Sequence, residues 1–312
     1  FGSGVRYGDN SIRQHGALRR MIGVIIKGLG GLYTVSDGKN FSEVKAKGVF
    51  RKDGIIPMIG DKVRAENGVI SEIFPRKNSL VRPPVSNIDK LFIVSSLKNP
   101  EPDFLYIDKL TVIAVKFGIT PILVFSKSDL SDGSDVDVLN VYSKTPYKVI
   151  FTSSVNNIGA KELLSEIKGF TSAFAGFSGV GKSSLLNMIS SFSGVEIISA
   201  VGDVSRKLGR GKHTTRHVEL FSVNGGFIAD TPGFGNLELS YFGIKNRETL
   251  SDFFPEFSDY VFDCRFSDCS HIGIKGCAVE EAVERGKISR SRYESYCRLY
   301  NDMGEYKFWQ EK

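Results

Sequence analysis

Residues 21 to 84 contain short runs in which apolar and polar residues alternate, with turn residues between the runs. Alternation with a period of two is typical of half-buried β-strands, and the glycines and aspartates between the runs favour tight turns. The runs predict five strands, at residues 22–27, 31–36, 42–47, 61–66 and 69–74. Five short strands in about 65 residues favour a small barrel, and an OB-type barrel is the form that we expect.

Barrels of this type often bind single-stranded nucleic acid or structured RNA. Basic side chains accompany the predicted strands and are candidates for contact with phosphates; they are Arg51, Lys52, Arg76, Lys77 and Arg82. No aromatic stacking pattern accompanies them in the sequence, so a barrel with a purely structural role is the alternative.

The pattern changes after Pro83 and Pro84, where continuous apolar runs alternate with segments of helical periodicity. The apolar runs predict strands at 91–97, 121–125, 147–151 and 171–175, and the periodic segments predict helices at 104–117, 158–167 and 184–190. Strands that alternate with helices favour a parallel sheet that is covered on both faces. Further helices are expected near 247–254, 278–286 and 291–307.

These changes of pattern divide the chain into four parts. We predict a tag or disordered tail at 1–20, an OB-fold barrel at 21–84, an α/β domain at 85–240 and a mainly helical domain at 241–312. The tail shows no clear period and ends before the strand-like run that Met21 opens. The expected fold is therefore multi-domain, with a β-barrel, an α/β layer structure and a helical C-terminal part.

The composition is that of an ordinary globular protein, since 41% of the 312 residues are hydrophobic and 24% are charged. No run approaches the roughly 20 apolar residues of a membrane-spanning helix, and no secretory leader pattern is present, so we expect a soluble cytoplasmic protein. The net charge is +6, and residues 1–20 supply half of it through four arginines against one aspartate. The other basic stretches, at 76–82, 206–216 and 285–292, each fit a solvated face as well as a nucleic-acid contact.

The segment 176–183 reads Gly-Phe-Ser-Gly-Val-Gly-Lys-Ser and fits the P-loop pattern G-x-x-x-x-G-K-[ST]. A predicted strand precedes it and a predicted helix follows it, which argues against a chance glycine-rich turn. In a P-loop the backbone N–H groups surround phosphates, the lysine (here Lys182) reaches the terminal phosphates, and the hydroxyl of Ser183 binds Mg²⁺. The candidate nucleotide-binding residues of this segment are Gly176, Phe177, Ser178, Gly179, Val180, Gly181, Lys182, Ser183 and Ser184.

A second phosphate-sensing motif, D-x-x-G, follows an apolar strand at 230–233. Asp230 would orient Mg²⁺ through water, and the amide of Gly233 would sense the γ-phosphate, as in a GTPase switch. The basic segment 206–217 lies between the two motifs, where a mobile loop with a threonine ligand for Mg²⁺ belongs. Thr214 or Thr215 is that candidate, and we assign the ion to Ser183 and Thr215. A solvated connector is the alternative, although five uncancelled positive charges in this segment would suit RNA phosphates.

A GTPase also needs a reader of the guanine base, normally Asn-Lys-x-Asp at the end of a strand. No such motif follows Asp230, but Ser-Lys-Ser-Asp ends the predicted strand before the P-loop, and a second candidate loop follows the next strand. The candidate base-binding residues are Ser126, Lys127, Ser128, Asp129, Ser153 and Ser154. The order of the motifs is therefore circularly permuted, which a sheet tolerates when the original termini lie close together.

Three of the four cysteines lie close together, and His271 lies among them. Cys264, Cys269, His271 and Cys277 have the spacing C-x4-C-x-H-x5-C, which offers three thiolates and one imidazole. Four such ligands predict a closed tetrahedral Zn²⁺ site with a structural role. Free thiols near a histidine are the alternative, and Cys297, 20 positions beyond Cys277, is expected to be a free thiol.

The order of these features resembles the RsgA/YjeQ family of circularly permuted GTPases that depend on the small ribosomal subunit. The resemblance rests on the base motifs, the P-loop, the Gly-Lys-His-Thr-Thr segment at 211–215 and the D-x-x-G motif, between a barrel and a cysteine cluster. It implies an OB-fold, a permuted GTPase domain and a C-terminal zinc domain. It also implies slow hydrolysis of GTP that the subunit stimulates, and a role in late maturation of that subunit.

Two positions depart from related patterns. Ser126 replaces the asparagine of the guanine motif, so we expect the loss of contacts that brace the loop and a lower guanine affinity. Phe234 follows Gly233, where many Ras-like GTPases carry a water-orienting glutamine nearby. His213, or a group that the ribosome supplies, is the candidate for that task; a surface histidine without a catalytic part is the alternative. The candidate catalytic residues are His213, Thr214, Thr215, Lys182 and Gly233.

Two classes of function compete at this point. The first is an assembly factor that binds GTP and GDP with Mg²⁺, contacts the small (30S) ribosomal subunit and its rRNA, and leaves when GTP is hydrolysed. The second is a nucleotide-gated RNA-binding scaffold with little turnover, or a P-loop ATPase or kinase of other specificity. The resemblance favours the first class, with no membrane contact and a monomeric state.

Overall fold

The computed structural model describes residues 20–48, 50, 54–81, 83–195, 218–230 and 237–304. Among the basic residues singled out in the barrel region, Arg51, Lys52 and Arg82 lie outside this part of the chain. None of the helices in the described ranges is long and apolar enough to cross a lipid bilayer.

The first five strands form a closed barrel, as the sequence predicts. They are β1 (Arg20–Leu29), β2 (Leu32–Ser36), β3 (Phe41–Ala46), β4 (Lys62–Glu66) and β5 (Val69–Ile73). The order around the barrel is β1-β2-β3-β5-β4, with β3 and β5 parallel and the other described pairs antiparallel. Ile25, Val35 and Ile70 fill its interior and belong to an apolar cluster separate from the rest of the protein. Strand β1 begins two residues earlier than predicted, at Arg20, because Arg20 pairs with Glu66 of β4.

Asp61 joins the barrel to the segment that follows it. Its carboxylate is fully buried and accepts hydrogen bonds from Arg76 at 2.7 and 2.8 Å and from the hydroxyl of Ser86 at 2.6 Å. The neighbouring Gly60 has a φ of +90° and lies against the carbonyl of Ser86, where a Cβ would come within 2.0 Å. Arg76 therefore has a structural role, and its contact with phosphates stays a prediction.

The hairpin of β6 (Ser79–Val81) and β7 (Pro84–Ser86) leads into a six-stranded sheet. Its strands are β8 (Lys90–Ser96), β9 (Thr120–Ser126), β10 (Lys148–Phe151), β11 (Thr171–Ala175), β12 (Glu219–Val223) and β13 (Gly226–Asp230). The order is β10-β9-β8-β11-β13-β12, and only the edge strand β12 is antiparallel to its neighbour. The predicted parallel sheet is confirmed, with one antiparallel edge strand added.

Within the described ranges, four α-helices connect these strands: α1 (Phe104–Lys116), α2 (Ser134–Tyr142), α3 (Ala160–Ile167) and α4 (Lys182–Ser193). Alternate residues of the central strands enter two different apolar clusters, so both faces of the sheet are buried. Phe92 and Val94 face the cluster that includes α3 and α4, whereas Leu91 and Ile93 face the cluster that includes α1 and α2. The carboxyl ends of the parallel strands meet at one edge of the sheet, where ligands bind in folds of this class.

The C-terminal part contains short 3-10 helices followed by α5 (Ala278–Glu284) and α6 (Arg290–Met303). The helix predicted near 247–254 is a 3-10 helix at Arg247–Phe253. Phe254, Phe257, Tyr296 and Leu299 of this part share one apolar cluster with Leu110 of α1. The C-terminal part therefore covers the outer face of α1.

Candidate nucleotide-binding site and metal centre

The predicted P-loop connects β11 to α4 at the carboxyl edge of the sheet. Gly176 has a φ of +147°, and a Cβ there would lie 2.2 Å from the carbonyl oxygen of Val94 at the end of β8. Gly179 and Gly181 also have positive φ values, of +82° and +96°. A side chain at Gly176 would therefore collide with the neighbouring strand, and the loop follows a path that only glycine adopts without strain.

Lys182 and Ser183 lie in the first turn of α4. The ammonium group of Lys182 donates hydrogen bonds to the carbonyl oxygens of Gly176 at 2.8 Å and Phe177 at 2.5 Å, so it lies across the loop. The N-cap residue Gly181 carries no side chain that could accept from the first amide groups of the helix. Helix amides in this position, together with the partial positive charge of the helix N-terminus, bind anions. The arrangement fits a phosphate group beside Lys182.

Ser126, at the end of β9, joins the predicted base-binding loop to the P-loop. Its side chain is buried, and its hydroxyl donates a 2.5 Å hydrogen bond to the carbonyl oxygen of Val180. The hydroxyl also lies close to Gly181, where a Cβ would approach it to 3.2 Å. The sequence led us to expect that serine in place of asparagine leaves the loop without a brace. The structure shows a brace at this position, made by the shorter side chain.

Asp129 lies in a one-turn 3-10 helix that follows β9. Its carboxylate accepts a 2.5 Å hydrogen bond from the hydroxyl of Ser153, which in turn accepts from the amide of Asn156 at 3.1 Å. Lys127 adopts a left-handed backbone conformation and donates its ammonium group to the carbonyl of Asn99. The loops after β9 and β10 are thus joined through the side chain that the sequence assigns to the guanine edge.

The remaining nucleotide-site residues are placed only in part. The backbone of Ser128 donates to the carbonyl of Thr152 at 3.0 Å, and Ser154 follows at an exposed position. Asp230 ends β13, next to β11 in the sheet, so its backbone lies at the same edge as the P-loop. The predicted residues that lie outside the described part of the chain are His213, Thr214, Thr215 and Gly233.

One contact with the P-loop was not predicted from the sequence. The ring of Phe177 stacks on the ring of Tyr106 in the first turn of α1, with centroids 3.6 Å apart and planes inclined by 21°. Burial raises the pKa of Tyr106 to about 12, so its phenol is neutral at physiological pH. The helical periodicity of residues 104–117 already accounts for an apolar residue at position 106. The sequence pattern therefore offers no reason to expect that Tyr106 contacts the P-loop.

The four predicted metal ligands lie together in the C-terminal part. The sulfur and nitrogen atoms of Cys264, Cys269, His271 and Cys277 all lie within 4.8 Å of one another. His271 Nδ1 lies 3.5 Å from the sulfurs of both Cys264 and Cys277, which are 4.0 Å apart. Tetrahedral zinc with ordinary bond lengths needs about 3.5 Å between nitrogen and sulfur and about 3.8 Å between sulfurs. The donor set therefore fits one zinc ion.

Two tyrosines of α6 support the loop that carries these ligands. Tyr293 donates its hydroxyl to the carbonyl of His271, and Tyr296 donates to the carbonyl of Ser270, both at 2.8 Å. The carboxylate of Glu280 accepts from the amide of Gly273 at 2.7 Å. These bonds fix the backbone beside the metal ligands. Hydrogen bonds of this kind hold the ligating side chains in the orientation that a metal ion needs.

Burial opposes charge on the cysteines of this cluster. It raises the pKa of Cys277 to about 12 and also raises the pKa of Cys269, while it lowers the pKa of His271. Buried thiolates are stable only beside a compensating cation. All four cysteines are free of disulfide bonds, and Cys297 lies outside the cluster, as expected.

Comparisons with known proteins agree with this geometry. The family model described as RsgA GTPase matches residues 73–240, and the RsgA N-terminal domain matches residues 22–69. A protein of Ruminiclostridium cellulolyticum named small ribosomal subunit biogenesis GTPase RsgA is 43% identical over 299 residues, which cover 92% of this chain and 96% of that protein. A protein of the same name from Caldanaerobacter subterraneus is 43% identical over 295 residues, which cover 92% of this chain and 97% of that protein.

Two solved structures resemble the whole described fold. The crystal structure of YjeQ from Thermotoga maritima is 35% identical with a TM-score of 0.75, and the match covers 91% of this chain and 98% of that one. The structure of YloQ, described as a circularly permuted GTPase, is 33% identical with a TM-score of 0.76, and the match covers 93% and 97% of the two chains. The chain therefore belongs to the RsgA family of circularly permuted GTPases and is a GTP-hydrolysing enzyme.

Proposed function

We propose that this protein acts on the small ribosomal subunit late in its maturation, and that binding to the subunit stimulates its hydrolysis of GTP. One observation carries the proposal: the base loop and the P-loop, in permuted order, are held together by the bond from Ser126 to Val180. Relatives that are 43% identical over 92% of this chain are named as small ribosomal subunit biogenesis GTPases. The protein works as a monomer in the cytoplasm and contacts the rRNA of the subunit.

The nucleotide is GTP, bound at the carboxyl edge of the sheet. The amide groups of residues 176–184 surround its β- and γ-phosphates, and the ammonium of Lys182 pairs with them in place of its present bonds to loop carbonyls. The carboxylate of Asp129 accepts the N–H groups of the guanine edge, while Ser153 and Ser154 line the second base loop. Ser153 already orients Asp129, so the base reader is preorganised.

Ser183 and Thr215 would hold a magnesium ion, with Asp230 oriented toward it through water. The ion would neutralise charge between the β- and γ-phosphates. The place of Ser183 in the first turn of α4, beside Lys182, fits this assignment. The amide of Gly233 would report the presence of the γ-phosphate, and Thr214 is the alternative to Thr215 as the threonine ligand. His213, or a group that the ribosome supplies, orients the attacking water.

The cysteine and histidine cluster holds one structural zinc ion. All four tetrahedral positions are taken by protein ligands, so no position is open for a reactive water. The loop that carries the zinc ligands and the barrel contact the subunit, and the positive charges in the sequence of segment 206–216 suit its RNA phosphates.

Turnover of GTP by the purified protein, with and without small ribosomal subunits, tests the proposal. We expect slow turnover alone and strong stimulation by the subunits, and we expect Lys182→Ala to abolish both. Lys161→Ala removes an exposed lysine from α3 and should behave as the unsubstituted protein. Turnover that subunits leave unchanged would contradict the proposal and favour a nucleotide-gated RNA-binding scaffold.

A further inference from the structure

Phe177 connects the P-loop to helix α1 as well as to Lys182. Its ring is 43% exposed and stacks on Tyr106, whereas its carbonyl oxygen accepts the hydrogen bond from the ammonium of Lys182. The residue that stacks on α1 is therefore the same residue whose backbone holds the ammonium group of Lys182. The position of α1 therefore bears directly on the group that meets the phosphates.

Helix α1 is itself fixed by a buried charge network that begins two residues after Tyr106. Arg292 of α6 donates to the carboxylate of Asp108 at 2.7 Å and to the hydroxyl of Thr111 at 3.1 Å, and its Nε donates to Glu256 at 2.7 Å. The side chains of Arg292, Asp108 and Glu256 are 2% exposed or less. Burial opposes the charge on Arg292, but the two carboxylates outweigh it and hold the pKa of the guanidinium well above its ordinary value.

A buried network of this kind adds little to stability compared with well-packed apolar residues. It does impose one geometry, because each charge must keep its partner. Tyr142 of α2 donates a further 2.9 Å hydrogen bond to Asp108, and the guanidinium lies over the ring of Phe254, 4.6 Å from the ring centre. The position of α1 along and around its axis is thus specified from two sides.

We propose that Arg292 and Asp108 are positioning residues of the nucleotide site: they fix α1, and α1 holds the P-loop in its binding conformation through the stacked rings of Tyr106 and Phe177. The helix that supplies Arg292 also supports the metal loop through Tyr293 and Tyr296. The C-terminal part therefore contributes to nucleotide affinity without touching the nucleotide. This inference rests on the proposed assignment of the P-loop as the GTP site.

The test is a double-mutant cycle on the affinity for fluorescently labelled GDP. Asp108→Asn keeps the side-chain volume and leaves Arg292 paired with Glu256, and Phe177→Leu removes the stack. We expect each substitution to weaken binding by about three- to thirtyfold. Because both act through the same stack, the double variant should bind no more weakly than Phe177→Leu alone.

Variants of Tyr106 test the same connection between α1 and the P-loop without disturbing the buried charges. Tyr106→Leu should weaken binding as Phe177→Leu does, and Tyr106→Phe, which keeps the ring, should restore the affinity of the unsubstituted protein. Ile70→Val, in the separate core of the barrel, lowers stability and should leave the dissociation constant unchanged. Titration to saturation gives the active fraction separately, so a loss of folded protein is not read as a loss of affinity.

Losses that multiply in the double variant, or unchanged binding by Tyr106→Leu, would overturn the inference while the GTP site stands. A protein that binds no GDP even before substitution, and for which Lys182→Ala makes no difference, would overturn the proposed site and the inference together.

Discussion

A single hydroxyl group connects the two loops that a guanine nucleotide must touch. Ser126 reaches the carbonyl of Val180 because Gly181 leaves room beside it, so a short side chain can make the contact. The sequence indicated that position 126 matters, since it departs from the guanine motif. The lower guanine affinity stays a prediction. The bond to Val180 could not be predicted from one residue type, because the distance between the two loops depends on the packing of β9 against the P-loop.

Ser126→Ala should weaken the binding of guanine nucleotides about tenfold, because the carbonyl of Val180 is left buried without its donor, at a cost of about 1–3 kcal/mol. Equilibrium titration with labelled GDP measures the effect. Ser165→Ala removes an exposed hydroxyl of α3 and is the matched control. Equal affinities for the two variants would show that the bond does not brace the site.

Asp129→Asn should shift the preference of the enzyme from GTP toward xanthosine triphosphate. The carboxylate accepts the N–H groups of guanine, whereas an amide can donate to the oxygen that xanthine carries in place of the exocyclic amino group. Competition between the two nucleotides, followed by turnover, measures the shift. Unchanged use of GTP would remove Asp129 from the role of base reader.

At the scale of elements, the sequence pattern predicted the barrel because buried and exposed residues alternate along its strands. It predicted the central strands of the sheet because these are buried without interruption. Helix α2 was not predicted, since Val136 and Leu139 are exposed beside the buried Val138 and Val141 and obscure its apolar face. The metal loop was predicted in full, because its ligands are close in the sequence. The contact between Tyr106 and Phe177 could not be predicted, because the two residues are brought together only by the order of the strands.

The metal loop should carry one zinc ion per chain, and Cys264→Ser should abolish its retention. A serine hydroxyl is a poor replacement for a thiolate ligand, and a three-ligand site binds more weakly. Elemental analysis of the purified proteins measures the zinc content. Cys297→Ser, which alters a thiol outside the cluster, should retain the full content. Zinc-free Cys297→Ser, or zinc-replete Cys264→Ser, would contradict the assigned ligand set.

Zinc binding should release protons and strengthen as the pH rises. In the metal-free chain burial raises the pKa of Cys277 to about 12 and raises that of Cys269, so both are protonated at pH 7, whereas zinc takes the thiolates. Calorimetric titration in two buffers of different ionisation enthalpy counts the released protons. Identical heats in the two buffers, or affinity that falls as the pH rises from 6 to 8, would refute this account.

At the scale of the whole molecule, the barrel contacts the rest of the chain through polar pairs and through Val24 and Ile26 of β1, which pack against the apolar cluster of the sheet. Asp61 is fully buried and its partners fix the hairpin, while the pair of Lys27 and Glu219 is largely exposed. Exposed pairs contribute little, so among the polar contacts the buried carboxylate of Asp61 matters more than the pair of Lys27 and Glu219.

Arg76→Ala should lower the free energy of unfolding by about 2 kcal/mol, because it leaves the carboxylate of Asp61 buried with fewer donors. Denaturant unfolding measures the loss. Arg64→Ala breaks a more exposed pair with Glu72 on the barrel and should cost less than about 1 kcal/mol. Comparable losses for the two arginines would contradict the structural role of Arg76.

The apolar cluster shared by α1 and the C-terminal part has a consequence for how the enzyme is made in the cell. Leu110 and Ile113 of α1 are synthesised long before Phe257, Tyr296 and Leu299, which cover them. Until α6 has left the ribosome, the emerging chain exposes the apolar face of α1 that α6 later covers. The outer face of α1 is thus covered only after the C-terminal part has been synthesised, and apolar surface exposed during that interval favours aggregation.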